Sequence, residues 1–307
     1  MFLPKNRTLL EFSVFQGKSL LKFSADICLN HTMTIKTRNG SLLIFSFIAI
    51  ASFLIHGGLF VWASFNDTIF QPQSPIRIYE FNLGGIFSYS FTSSIVAILV
   101  LAFLAPLLSL AVFRGFEKTQ SLEIVFFIGI LASLLMESVR IYIPYYGLWK
   151  SYSKSLAYIG KIIIGARLLF PLSLFFAQLF HAQEHNQNAE RNLALLFVLT
   201  SLIAFFYPVN SGIITTSNTV LWGLRKFFIT ARVLIMMTTF VSMLIEGYNT
   251  GIKANYTKAL GALTFFFGHL ILSSADSVFT LAAGLIVFLA GCMIYLKSIH
   301  YIRNTWN

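Results

Sequence analysis

The chain alternates between long apolar runs and short polar breaks. Apolar stretches at 41–63, 90–113, 121–147, 156–181, 193–214, 220–246, 259–273 and 277–297 each contain few charges or none. A helix rising ~1.5 Å per residue needs about 20 such residues to cross the ~30 Å hydrocarbon core of a bilayer. The pattern predicts an all-α, polytopic integral membrane protein, a bundle of about eight transmembrane helices. The run at 259–273 is short, near the lower limit for a span; without it the bundle has about seven. Around this core, residues 1–40 read as a basic N-terminal tail, 41–297 as the transmembrane domain and 298–307 as a short C-terminal tail. Met33 opens "MTIKTRNGSLLIF", a start followed by a short basic flank, so 1–32 is either an extension or a polar tail. The first 40 residues lack the apolar h-region of a cleavable signal peptide.

Composition supports the same class. Charged residues make up 11% of the chain and hydrophobic ones 57%, where a soluble domain carries about 25% charged residues. The net charge of +11 is spread over the tail and loops, with no basic stripe of the kind that binds nucleic acid. It reads instead as a topology signal. Lys5, Arg7, Lys18, Lys22, Lys36, Arg38, Arg114, Lys118, Lys253, Lys258, Lys297 and Arg303 fall on one side of an eight-span chain. The long loop 64–89 on the other side has Arg77 as its one strong base. Lys150, Lys154, Arg225 and Lys226 run against the rule. The expectation is a cell-membrane protein with both termini cytoplasmic. The two cysteines, Cys28 and Cys292, form neither a disulfide framework nor a CxxC metal motif.

The chemistry lies in charges placed inside the spans, where each costs about 2.5–3.5 kcal/mol at a helix centre. In "ASLLMESVRIYIPYYGLW", Glu137 and Arg140 are i, i+3 and share a helix face. Lys161 and Arg167 follow in the next span, His56 lies in the first, Arg232 in the sixth and His269 in the seventh, with Asp276 just beyond. All fall in the outer half of the predicted topology. If Glu137 neutralises Arg140, then Arg167, Arg232 and Lys161 have no evident acidic partner. An outward-facing cationic pocket built on Glu137, Arg140, Arg167, Arg232 and His269 would suit an anionic small molecule or lipid, since the arginine fork binds two oxygens at once. Tyr142, Tyr207 and Asn210 would add neutral hydrogen bonds. The alternative is structural: Arg140 and Lys161 reach to the interface, and Glu137 pairs with Arg140 or Arg167 between helices. Pro144, and Pro208 with Gly212 in "FFYPVNSG", mark helix ends or kinks.

A second chemistry is "HAQEH", 181–185, which matches the H-x-x-E-H zinc pattern. His181 and His185 would share a helix face as metal ligands, Glu184 would activate water, and Glu246 lies at a suitable depth for a third ligand. "FFFGH" and "HYIRN" echo motifs of intramembrane CAAX-type proteases, but the Glu-rich first motif is missing and His269 and His300 fall on opposite sides. There is no G-x-S-x-G, Walker A loop or set of His boxes, so no cofactor is implied. The leading expectation is a non-catalytic, receptor-like binding or sensing module that acts through a signalling partner protein. A transporter of a small anion or lipid-like substrate, and a metal-dependent hydrolase at "HAQEH", are the alternatives.

Overall fold

The computed structural model describes residues 35–305, apart from 67, 73–74, 77–84, 118–120, 151–152 and 182–188. The expectations for Met33, Cys28, Arg77 and the tail 1–32 lie outside the described residues. Helices α1 (Ile35–Phe65), α2 (Phe91–Phe116) and α3 (Leu122–Ser138) come first. A 3₁₀ turn, Val139–Ile141, continues α3 into the short α4 (Tyr142–Tyr146). Next come α5 (Ser153–His181), α6 (Ala189–Phe206), a hairpin of β1 (Val209–Ile214) and β2 (Val220–Trp222), then α7 (Arg225–Thr250), α8 (Lys253–Ser273) and α9 (Val278–Thr305). The chain is an all-α, multi-pass membrane bundle: among the described residues, seven segments are long and apolar enough to cross a membrane.

Which faces meet lipid follows from the burial pattern. On α7, Phe228, Arg232, Met236, Thr239, Met243 and Gly247 are buried at helical spacing. Leu234, Met237, Val241, Ile245 and Tyr248 on the remaining faces are exposed. Helix α1 likewise exposes Phe47, Ile48, Leu54, Ile55 and Trp62, and its serine Ser46 meets Ser109 of α2 at 2.5 Å, Oγ to Oγ. Apolar surface on this scale is stable against hydrocarbon and not against water.

Two expectations need correction. The fifth span does not run to 214. Helix α6 stops at Phe206, before Pro208, and the antiparallel β1–β2 hairpin follows. β1 presses on α5 where Gly160 leaves room: a Cβ there would lie 2.8 Å from Val209 Cγ1. The hairpin tip, Thr215–Thr219, is buried throughout. Second, the helix expected at 259–273 begins at Lys253, so Lys258 is not a loop base but a fully buried side chain within α8. Helix α8 is absent from the seven apolar segments because it carries these polar residues, yet it is among the most buried. It packs on α9 with backbones nearly touching. A Cβ on Gly261 would sit 2.6 Å from the Tyr295 nitrogen, and one on Gly284 2.9 Å from the Leu272 nitrogen. Cβ atoms on Gly268 and Gly291 would collide with the backbones of Phe288 and Phe265. These glycines repeat every seven residues on each helix, which is how small residues let membrane helices approach closely.

One end of the bundle holds the start of α1 and the end of α9, since Arg38 donates to the Phe116 carbonyl (2.6 Å) and the Phe116 ring meets His300 edge-on. We call it the terminal end. The opposite end is the hairpin end.

Candidate functional site

Glu137 (0% exposed), Arg140 (1%), Arg167 (3%), Arg232 (3%) and His269 (0%) are buried near the hairpin end, with Asp276 (8%) beside them. The first five come from α3 with its 3₁₀ extension, α5, α7 and α8. Glu137 stands in the last turn of α3, and the 3₁₀ turn that follows brings Arg140 Nε to 3.2 Å from its carboxylate. From α5, Arg167 Nε donates to Glu137 Oε1 at 2.5 Å. If Glu137 served Arg140 alone, Arg167 would have no evident acidic partner; instead Arg167 shares Glu137 with Arg140, so both of the pairings considered are present. One carboxylate thus serves two guanidiniums.

The second anchor is the end of α8. The last carbonyls of a helix have no partner inside it and carry the negative end of its dipole. The Ser273 carbonyl accepts from Arg140 Nη1 and from Arg167 Nη2, both at 2.6 Å. Arg140 Nη1 also donates to the Ser217 carbonyl at the hairpin tip, 3.2 Å away. The tip is held in turn by neighbouring elements. Asn218 has φ of +54°, a left-handed conformation that asparagine tolerates. Its Nδ2 donates to Ser94 Oγ (2.9 Å), and Thr216 Oγ1 donates to Asp276 Oδ2 (2.8 Å). The hairpin therefore closes this end of the bundle and supplies part of the site. Trp222 of β2 forms one wall: the Arg167 guanidinium lies 4.8 Å from its ring centroid. Arg232 lies between the rings of Phe228 and Phe266, 5.8 and 5.7 Å from their centroids.

Several polar atoms of this buried site have no hydrogen-bond partner among the described residues. They include Arg140 Nη2, Trp222 Nε1, Asn218 Oδ1 and both ring nitrogens of His269. His269 stacks flat on Phe170, with centroids 4.1 Å apart. The charges of Arg232, Arg167 and Arg140 all act on its ring. A buried polar atom without a hydrogen bond costs about 1–3 kcal/mol.

The other residues singled out by sequence lie elsewhere. Lys161 Nζ donates to the Phe205 carbonyl (2.6 Å) and caps α6 at the periphery. His56 Nδ1 bonds the Ser52 carbonyl of its own helix (2.7 Å), with its ring 5.3 Å from that of Tyr142. Tyr207 donates to the Leu224 carbonyl (2.6 Å), and the exposed Asn210 side chain accepts from the Gly212 nitrogen. Pro144 belongs to α4, which ends at Gly147 in a left-handed conformation, φ +55°. Glu246, the suggested third metal ligand, is engaged by Gln178 Nε2 (2.6 Å) and Lys258 Nζ (3.4 Å). Glu184, His185 and the side chain of His181 lie outside the described residues. Sequence reasoning missed Ser217, Asn218, Trp222 and the Ser273 carbonyl. The polar run "TTSNT" between apolar neighbours was the available signal for the first two.

Beside the site, burial and the nearby Asp276 push the Tyr89 phenol up to about 12 from its ordinary 10. The folded state keeps a proton that the unfolded chain releases, so stability is whole below pH 10 and falls as pH rises toward 12. Tyr89→Phe should lose less stability over that interval than the parent. Thermal unfolding at a series of alkaline pH values checks this; parallel curves for the two proteins would refute it.

Comparison of the chain with protein-family models, curated proteins and solved structures found no match.

Proposed function

We propose that the hairpin-end cluster is a binding site for a small anion, a carboxylate or phosphate group, and that the protein is a receptor-like binding or sensing module of the cell membrane. In this reading both termini are cytoplasmic, the hairpin faces outward, and a partner protein receives the signal. One observation carries it: in a site almost sealed from solvent, Arg140 Nη2 and both His269 nitrogens have no hydrogen-bond partner among the described residues, while Arg140 and Arg167 share a single carboxylate. An uncompensated buried positive charge is costly, and an anion with two acceptor oxygens matches the free arm of a guanidinium. Phe170, Trp222 and Phe266 would surround the apolar part of such a ligand.

His269 allows a clean test, because its nitrogens make no hydrogen bond to the protein among the described residues. Isothermal titration of the purified protein with benzoate and with inorganic phosphate should detect binding of at least one of them. His269→Leu should weaken it about tenfold or more, the value of a hydrogen bond to a charged group, while the melting temperature stays level or rises. Absence of binding by either anion, or equal binding by His269→Leu, would overturn the reading.

A further inference from the structure

The helices that build the hairpin-end cluster carry a second polar layer toward the terminal end. Lys258 of α8, its side chain 1% exposed, lies 3.4 Å from Glu246 Oε2 of α7 and 3.8 Å from Glu123 Oε1 of α3. Glu123 also accepts from Ser121 Oγ (2.6 Å) and from Arg303 of α9 (3.2 Å). Gln178 of α5 donates to Glu246 at 2.6 Å.

The two layers are in register. Glu123 and Glu137 are fourteen residues apart on α3, as are Arg232 and Glu246 on α7. Arg167 and Gln178 on α5, and Lys258 and His269 on α8, are eleven apart. Both separations are close to whole turns of 3.6 residues, so each helix shows both polar residues on one face, about 16–21 Å apart. Between them stands a column of aromatic rings. Phe170 meets Phe265 at 4.9 Å, Phe265 meets Phe288 at 4.7 Å, and Phe127 stacks on Phe265 at 6.2 Å. The column begins at His269, stacked on Phe170.

Two polar layers thus lie on the same faces of α3, α5, α7 and α8, parted by an apolar constriction of buried rings, Phe127, Phe170, Phe265 and Phe288. Such apolar constrictions exclude ions until their side chains move. We propose that the anion is translocated, passing from the hairpin-end cluster along the core of α3, α5, α7 and α8. The aromatic column is the barrier, and Lys258, locked between Glu246 and Glu123, closes the terminal end. The proposal rests on the anion-binding reading above. It makes His269 the link between ligand and barrier, since the ring that would meet the anion is the ring lying on Phe170.

The test uses the full chain reconstituted in liposomes, with uptake of labelled benzoate and labelled phosphate measured beside binding of the same anions in detergent. Wild type should take up the anion it binds faster than empty vesicles do. Phe265→Ala should raise the rate about two- to tenfold, the range expected from losing an aromatic contact at a barrier. Phe288→Leu opens the same column more mildly and serves if Phe265→Ala does not fold. Binding without uptake above empty vesicles, in wild type and variant alike, overturns translocation and leaves the binding site standing. Absence of binding overturns both.

Discussion

Glu137→Gln should destabilise the folded protein by about 3–5 kcal/mol, the cost of removing one partner from a buried ion pair. Its carboxylate is the acidic group that Arg140 and Arg167 share, at 3.2 and 2.5 Å, and none of the three side chains is more than 4% exposed. A neutral amide keeps the shape and loses the charge. Two guanidiniums would then lie in a low-dielectric interior with the backbone carbonyls of residue 137, Ser217 and Ser273 as their hydrogen-bond acceptors. Against a total stability of about 5–15 kcal/mol this is a large fraction. Unfolding of wild type and variant in mixed micelles measures it directly. A double variant, Glu137→Gln with Arg167→Met, should recover part of the loss because it removes one of the stranded charges. A change below about 1 kcal/mol in the single variant would mean that the charges are solvated, as for exposed pairs, and that the cluster is not closed.

Gly291→Leu should prevent α8 and α9 from packing and abolish recovery of monodisperse protein. A Cβ at Gly291 would meet the backbone of Phe265, and one at Gly268 the backbone of Phe288. Backbone cannot rotate away as a side chain can, so the helices must separate along their whole contact. Membrane helices have little hydrophobic drive to hold them together once close packing is lost. Gly291→Ala is the graded version, with an expected cost of about 1–3 kcal/mol from overpacking. Gly58→Ala is the control, because nothing lies within 4 Å of its Cβ position. Gel filtration and thermal unfolding of the three variants check the order. Equal behaviour of Gly291→Ala and Gly58→Ala would show that the two helices are not in close contact. The same lesion should reach the site, because α8 carries His269 and Ser273 and its Phe265 stands in the aromatic column.

Much of the architecture was legible because hydropathy is a one-dimensional signal. Runs of about 20 apolar residues cannot be placed elsewhere than in a bilayer or a large core, and the eight segments appear with shifted ends. The helix ends were less legible, because a terminus depends on partners as much as on local sequence. Lys258 looked like a loop residue, since a buried lysine is affordable only beside carboxylates, and Glu123 and Glu246 come from distant helices. The hairpin was hidden for a similar reason. "VNSGIITTSNTVLW" is apolar enough to extend a span, and its five polar tip residues are buried with hydrogen bonds among Thr215, Ser217 and Thr219 and from Thr216 and Asn218 to Asp276 and Ser94.

The sequence by itself determined the class of the protein and the shared helix face of Glu137 and Arg140. Helical periodicity fixes that face, because residues three or four apart lie on one side wherever the helix goes. The tertiary structure decided the rest. It gave Arg167 the same carboxylate as Arg140, turned the end of α8 into a shared acceptor, and left the His269 nitrogens without a protein partner among the described residues. These are contacts between segments 30 to 133 positions apart. No local pattern encodes them, since each exists only through the way several helices come to lie side by side.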